Sequence, residues 1–217
     1  MKTDRELRQD VMDELTFEPS TTATDIGVTV KDGVVTLMGT VSNYAEKWAA
    51  ERAAERVGYL RALAKDVTVK LPGSHKRSDS EIAAAALQAL KWDVQVPDTR
   101  LKLEVENGQV TLKGELDWNY QREAADRDLR NLTGVLGVLN QVTLKPTASP
   151  QEVSAKIEAA LQRTAFNDAR RIKVDADGGK VTLRGDVHSW AEREDAERAA
   201  WQAPGVIAVV DQIRVQP

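Results

Sequence analysis

Apolar and polar residues alternate along this chain in three stretches that share one pattern: DGVVTLMGTV at 32–41, NGQVTLKGEL at 107–116 and GGKVTLRGDV at 178–187. Each begins with a two-residue turn signal, Asp32-Gly33, Asn107-Gly108 or Gly178-Gly179. Such pairs suit a type I′ hairpin, whose two central residues both need positive φ. Before each turn lies a strand of period two, with Ile26, Val28 and Val30, then Leu101, Leu103 and Val105, then Ile172, Val174 and Ala176 on its buried face. After it, Val35, Leu37, Gly39 and Val41 point to one side, as do Val110, Leu112, Gly114 and Leu116, and Val181, Leu183, Gly185 and Val187. The second glycine therefore falls on the inward face, where a missing side chain is expected to let a helix come close or to mark a bulge.

A different period flanks these hairpins. Leu7, Val11 and Leu15, then Ile82, Ala86 and Leu90, then Val153, Ile157 and Leu161 recur at i, i+4 and i+8, the stripe of an amphipathic helix. Thr3 with Glu6, Ser78 with Glu81 and Ser149 with Glu152 form capping boxes at its start, and Pro150 suits the first helical position. The first two copies of this helix should end near Phe17 and Trp92. A second helix follows each hairpin and turns small residues inward: Ala50, Ala54 and Val57; Ala125, Leu129 and Leu132; Ala196, Ala200 and Ala203. These are expected to pack tightly over the strand glycines. Asn43 with Glu46 and Ser189 with Glu192 cap it; the middle copy has Trp118 there and should cap with Asp117 or Asn119. A last strand follows around Leu63, Val67 and Val69, Val138, Val142 and Leu144, and Val209, Ile213 and Val215.

The copies align at offsets of 75 and then 71 residues, with Gly33, Gly108 and Gly179 in register and Gly39, Gly114 and Gly185 likewise. That period exceeds the roughly 20–50 residues of solenoid repeats and indicates tandem domains. The expected fold class is α+β: three tandem αββαβ modules at 1–72, 78–146 and 149–217, each a small three-stranded mixed sheet with two helices on one face. The linkers PGSHKR at 72–77 and PTASP at 146–150 reach little more than about 20 Å, so the modules should be near neighbours.

A hairpin reading D/N-G-x-V-T-L-x-G-x-V, an Ala-rich helix, then G-V-x-x-V and an apolar strand resembles the BON domain, three times over. The carrying residues are Gly33, Thr36, Leu37 and Gly39; Gly108, Thr111, Leu112, Gly114 and Gly134-Val135; Gly179, Thr182, Leu183, Gly185 and Gly205-Val206. The first copy departs from this pattern, placing Tyr59 at the position of Gly134 and Gly205. The resemblance implies the αββαβ sandwich, a tie to bacterial osmotic stress, and association with phospholipid or the cell envelope.

Charge narrows the partners. Lys and Arg number 30 and Asp and Glu 34, for a net charge of −4, and each copy is itself acidic. The basic excess that a phosphate backbone requires is missing, so nucleic acid is not expected. No cysteine is present, which removes disulfides and thiolate chemistry. His75 lies in a linker and His188 at a corner, so no triad or zinc set is suggested, and the glycines sit in hairpins rather than in a phosphate loop. Catalytic residues, metal ligands and cofactors are expected to be none. The start, MKTDRELRQD, has no apolar leader, and no run reaches a membrane span of about 20 residues. As written the chain reads as cytoplasmic; a periplasmic place is expected only if a leader has been removed.

The candidate binding residues are therefore aromatic. Tyr44, Trp118, Tyr120 and Trp190 gather at the corner between the second strand and second helix, either stapling the helix start or offering an edge to lipid headgroups or a protein. Trp48 and Trp201 lie roughly 140–160° from the small-residue stripe and should face away from their own core, towards another domain or subunit. The open sheet face of the first copy, with Gly27, Thr29, Thr36, Met38 and Thr40, carries less charge than its counterparts and is expected to be covered by another module or chain. Three functions fit: non-enzymatic binding of a phospholipid surface or another protein by weak repeated sites, a cytoplasmic potassium or small-ligand sensor, and a structural protein forming homo-oligomers.

Overall fold

A computed structural model of the chain describes residues 2–145, 150–163, 172–187 and 190–215. The first repeat runs α1 (Asp4–Phe17), β1 (Ile26–Lys31), β2 (Val34–Val41), α2 (Tyr44–Arg56) and β3 (Ala62–Val69). The second runs α3 (Asp79–Trp92), β4 (Leu101–Glu106), β5 (Gln109–Leu116), α4 (Asn119–Arg130) and β6 (Gly137–Leu144). The third runs α5 (Pro150–Arg163), β7 (Ile172–Asp177), β8 (Lys180–Val187), α6 (Trp190–Trp201) and β9 (Ala208–Val215). The architecture is α+β, three tandem αββαβ repeats, and the strand after each hairpin is the central one of its sheet. β1 is antiparallel and β3 parallel to β2, and β7 and β9 stand in the same way to β8. By compactness the chain divides into two units: Met1–Ala86, Val105–Val110 and Leu129–Val138 in one, Leu87–Glu104, Thr111–Asp128 and Leu139–Pro217 in the other. The division passes through the second repeat.

The stripes on the first helices are buried throughout: Leu7, Val11 and Leu15; Ile82, Ala86 and Leu90; Val153, Ile157 and Leu161. In the third repeat they meet Val174, Val181, Leu183 and Val187 from the sheet and Ala196, Ala199, Ala200 and Ala203 from α6 in one core. Burial of apolar area on this single face is what makes the period-two and i, i+4 patterns cohere. Capping follows expectation where it is described. The Thr3 amide donates to the Glu6 carboxylate at 2.8 Å while Thr3 Oγ1 accepts from the Glu6 amide at 3.3 Å. Ser78 and Glu81 repeat those distances. The box at Ser149 and the cap at Ser189 lie outside the described residues.

Both residues of each hairpin turn take positive φ: 52° and 76° at Asp32 and Gly33, 50° and 74° at Asn107 and Gly108, 53° and 86° at Gly178 and Gly179. Tyr59, at φ 72°, makes the left-handed turn that Gly134 and Gly205 make at 97° and 80°, so the first copy keeps the turn without the glycine. The Lys2 ammonium lies 5.2 Å from the centre of the Tyr59 ring.

Two expectations are corrected. The inward glycine does not make room for a helix. Gly39 and Gly114 sit at φ 138° and 151°, and a Cβ there would collide with the backbone carbonyl oxygens of Asp25 and Arg100, at the entry to the neighbouring strand. The close approach is backbone to backbone. The cap of α4 is neither Asp117 nor Asn119: Gln121 Oε1 instead accepts from the amides of Asp117 and Trp118 at 3.3 and 3.2 Å, while the Asp117 carboxylate is held by Arg100 at 2.6 Å. The open face of the first sheet, expected to be covered by another module or chain, stands exposed in this chain at Gly27, Thr29 and Thr40, and Met38 is 40% exposed. The Met38 side chain lies across Gly27, with Cγ 3.2 Å from where a Cβ would stand.

Candidate functional site

The corner between second strand and second helix is built around one buried polar side chain. In the first repeat Glu46 accepts from the amide of Thr22 at 2.8 Å and from the amide and hydroxyl of Ser42 at 3.0 and 2.9 Å. Burial acts to raise its pKa, but the hydrogen bonds from Ser42 and Thr22 outweigh burial and hold the carboxylate below its ordinary value. Gln121 stands at the same position in the second repeat and accepts only from the neighbouring amides of Asp117 and Trp118, since Pro97, at the place of Thr22, has no amide to offer.

The corner aromatics divide. Tyr44, Trp118 and Trp190 are half-buried, and only Tyr120, 52% exposed, presents an edge to solvent. Trp118 and Tyr120 pack as a tilted pair with ring centres 6.4 Å apart. Tyr44 and Trp190 open α2 and α6, and Asn119, only 4% exposed, opens α4 at the equivalent place. The Arg193 guanidinium lies 4.8 Å from the centre of the Trp190 ring. Tyr44, Trp118 and Trp190 are thus only partly open to solvent.

Trp48 and Trp201 each meet an arginine of α4. The Arg130 guanidinium lies 3.7 Å from the ring centre of Trp48, and that of Arg122 lies 4.6 Å from the ring centre of Trp201. Burial pushes the Arg122 guanidinium below its ordinary value, against the opposing pull of Glu123, Asp126 and Glu197. Trp201 also packs against the core of its own repeat, so it does not point wholly away from it, and its indole donates to Glu197 one turn back at 3.3 Å.

Pattern reading missed the most exposed apolar side chains. Phe17 and Trp92 occupy equivalent positions at the ends of α1 and α3 and are 82% and 79% exposed, with Val94 fully exposed beside the latter. The available signal was a large aromatic repeated off the buried stripe.

The repeats differ most at the seam between their two helices. In the first, Arg56 of α2 reaches Glu14 of α1 at 2.7 Å and Glu18 beyond it at 2.9 Å. In the second, Arg127 of α4 reaches Asp93 after α3 at 3.1 Å. In the third, Ala160 and Gln202 replace Glu14 and Arg56, and Arg198 pairs within its own helix with Asp195 at 3.0 Å. An open groove of about 430 Å³ lies between α5 and α6, lined by Ala155, Lys156, Ala159, Ala160, Ala199, Gln202, Ala203 and Pro204.

Among the described residues no three His, Cys, Asp or Glu side chains gather as a metal site, and no helix is long and apolar enough to cross a membrane. His75 is exposed in its linker, and His188 lies outside the described residues.

The family model for the BON domain matches residues 3–70, 78–146 and 150–217. Osmotically-inducible protein Y of Escherichia coli (strain K12) is 26% identical over 146 residues, covering 64% of this chain and 73% of that protein. Among solved structures, CdsD, a structural protein of the type III secretion system of Chlamydia trachomatis, aligns with a TM-score of 0.27 at 16% identity, over 98% of this chain and 93% of that one. The PrgH periplasmic domain aligns at 0.23 and 14% identity, over 88% and 95%. At those scores neither structural likeness carries an argument.

Proposed function

This chain belongs to the BON domain family, and from that premise we propose that it is a non-catalytic binding protein of the osmotic-stress response that attaches to phospholipid surfaces through its third repeat. The α5–α6 groove carries this reading. Two repeats close that seam with ion pairs; in the third, Ala160 and Gln202 stand where the first has Glu14 and Arg56, and the groove beside them has apolar walls suited to an acyl chain, with the Lys156 ammonium available to a phosphate. The family's association with phospholipid, and a relative named for osmotic induction, support the same reading.

Flotation with phosphatidylcholine vesicles tests it. The full chain should rise with the vesicles, and Ala159→Glu, which places a charge in the groove wall, should lose most of that binding while circular dichroism stays unchanged. A chain that floats with no vesicle, or a variant that floats as well as the parent, would overturn the reading.

The exposure of Leu87, Trp92 and Val94 favours a second reading, contact between copies of the chain. Light scattering decides it: a monomer mass at all concentrations removes it, and a dimer mass that Trp92→Ala returns to monomer establishes it.

A further inference from the structure

The first residue of the first helix separates the repeats in a way that the groove does not explain. Asp4 receives both amides of its hairpin turn, Asp32 N on one carboxylate oxygen at 2.8 Å and Gly33 N on the other at 2.9 Å. Asp79 receives Asn107 N and Gly108 N at the same two distances. In two repeats, therefore, the paired turn amides form a cradle for one planar carboxylate, each oxygen taking one charge-assisted hydrogen bond.

The third repeat keeps the cradle and changes the residue that fills it. Its turn has the same backbone, with φ of 53° and 86° and the same strand register, Asp177 opposite Lys180 as Lys31 is opposite Val34. The equivalent of Asp4 and Asp79 is Pro150, which has no carboxylate. The amides of Gly178 and Gly179 have no hydrogen-bond partner among the described residues. The outer turn position has also become glycine, where the siblings have Asp32 and Asn107, and a Cβ there would meet nothing within 4 Å. The acidic neighbour Asp177 is no obstacle, since Glu106 stands in that place in the second repeat and its turn still holds Asp79.

We propose that the Gly178–Gly179 turn is a binding site for a carboxylate supplied from outside the fold, held by the two amides that bind Asp4 and Asp79 in the sibling repeats. The chemistry is that of acetate, and it can come from a free small carboxylate or from an acidic side chain of a protein partner. Two amides in a fixed pair match the two oxygens of a carboxylate, and the start of α5 adds its dipole.

The test uses the amide resonances of the full ¹⁵N-labelled chain at matched ionic strength. Sodium acetate should move Gly178 and Gly179 saturably, while Gly33 and Gly108, already occupied, stay in place. Pro150→Asp should fill the cradle from within and weaken the acetate response by about tenfold or more. Asp79→Ala should make Gly108 newly responsive. A glutamate-bearing peptide that saturates at much lower concentration than acetate assigns the site to a protein side chain; equal saturation assigns it to a free carboxylate. The proposal is overturned if Gly178 and Gly179 do not move, if they move no more than Gly33 and Gly108, if phosphate moves them as strongly as acetate, or if Pro150→Asp leaves the response unchanged. Vesicle flotation reads a different surface, so failure of the groove would leave this result standing.

Discussion

Gly39 and Gly58 are both glycines of the first repeat, yet only one is required. A methyl group at Gly39 would strike the Asp25 carbonyl, and φ 138° is a conformation that L side chains rarely take. Gly58 has nothing within 4 Å of its Cβ direction. Gly39→Ala should therefore cost at least about 2 kcal/mol in denaturant unfolding, and Gly58→Ala should lie within about 0.5 kcal/mol of the parent. Equal effects would refute the backbone-contact account. Charge gives a second prediction at this scale. Asp128 has a buried carboxylate oxygen without a hydrogen-bond partner, and burial, with Asp93 nearby, raises its pKa. A raised carboxylate stabilises the fold fully below its unfolded pKa and loses that contribution as pH climbs through the folded value. Asp128→Asn should accordingly raise the Tm at pH 7, by about 1 kcal/mol of stability, and lose its advantage in acid. Glu46 has the opposite sign: its lowered pKa gives stability above the ordinary carboxylate range that disappears as pH falls through the folded value. Glu46→Gln should weaken the fold at pH 7 and converge with the parent in acid. A flat difference across pH in either variant would sink its assignment.

Helices and strands were legible because each buries one face against a common core, and burial imposes a period on sequence. Leu7, Val11 and Leu15 could be read as a stripe before anything was known of their partners, and all three are buried. The turn pairs were legible for a backbone reason, positive φ at two successive residues. What pattern could not carry were contacts between elements distant in sequence. Gly39 looked like a helix seat because its parity was inward, whereas its true neighbour, the Asp25 carbonyl, belongs to the entry of β1. The groove was hidden because Glu14 and Arg56 lie off the buried stripes, where a change to Ala160 or Gln202 leaves the periodicity intact. The latch between first helix and hairpin was equally hidden, although Asp4, Asp79 and Pro150 align plainly once the contact is known. That latch makes an element-scale prediction. Asp79→Ala leaves two turn amides without their carboxylate and should cost about 1.5–3 kcal/mol, seen as faster exchange of the Asn107 and Gly108 amides as well as a lower Tm. Unchanged exchange there would mean that the latch contributes nothing.

At the scale of the whole molecule, charge decides what kind of membrane contact is open to the chain. The net charge is −4, and several basic side chains of the first two repeats are held by acids: Arg56 by Glu14 and Glu18, Lys65 by Glu51 and Glu55, Arg100 by Asp117. A surface attracted to anionic lipid works through clusters of Lys and Arg worth about 1 kcal/mol each near the headgroups, and such attraction is screened within about 10 Å at 0.1 M salt. This chain offers an apolar groove instead, and apolar transfer is insensitive to moderate salt. Binding through the groove should therefore be as strong to zwitterionic vesicles as to vesicles containing anionic lipid, and should persist when salt is raised from about 0.05 to about 0.5 M, where a polybasic contact would be lost. Phosphatidylcholine vesicles with and without phosphatidylglycerol, floated across that salt range, separate the two modes. A requirement for anionic lipid that salt abolishes would move the contact from the groove to a charged surface, and Ala159→Glu would then have little effect.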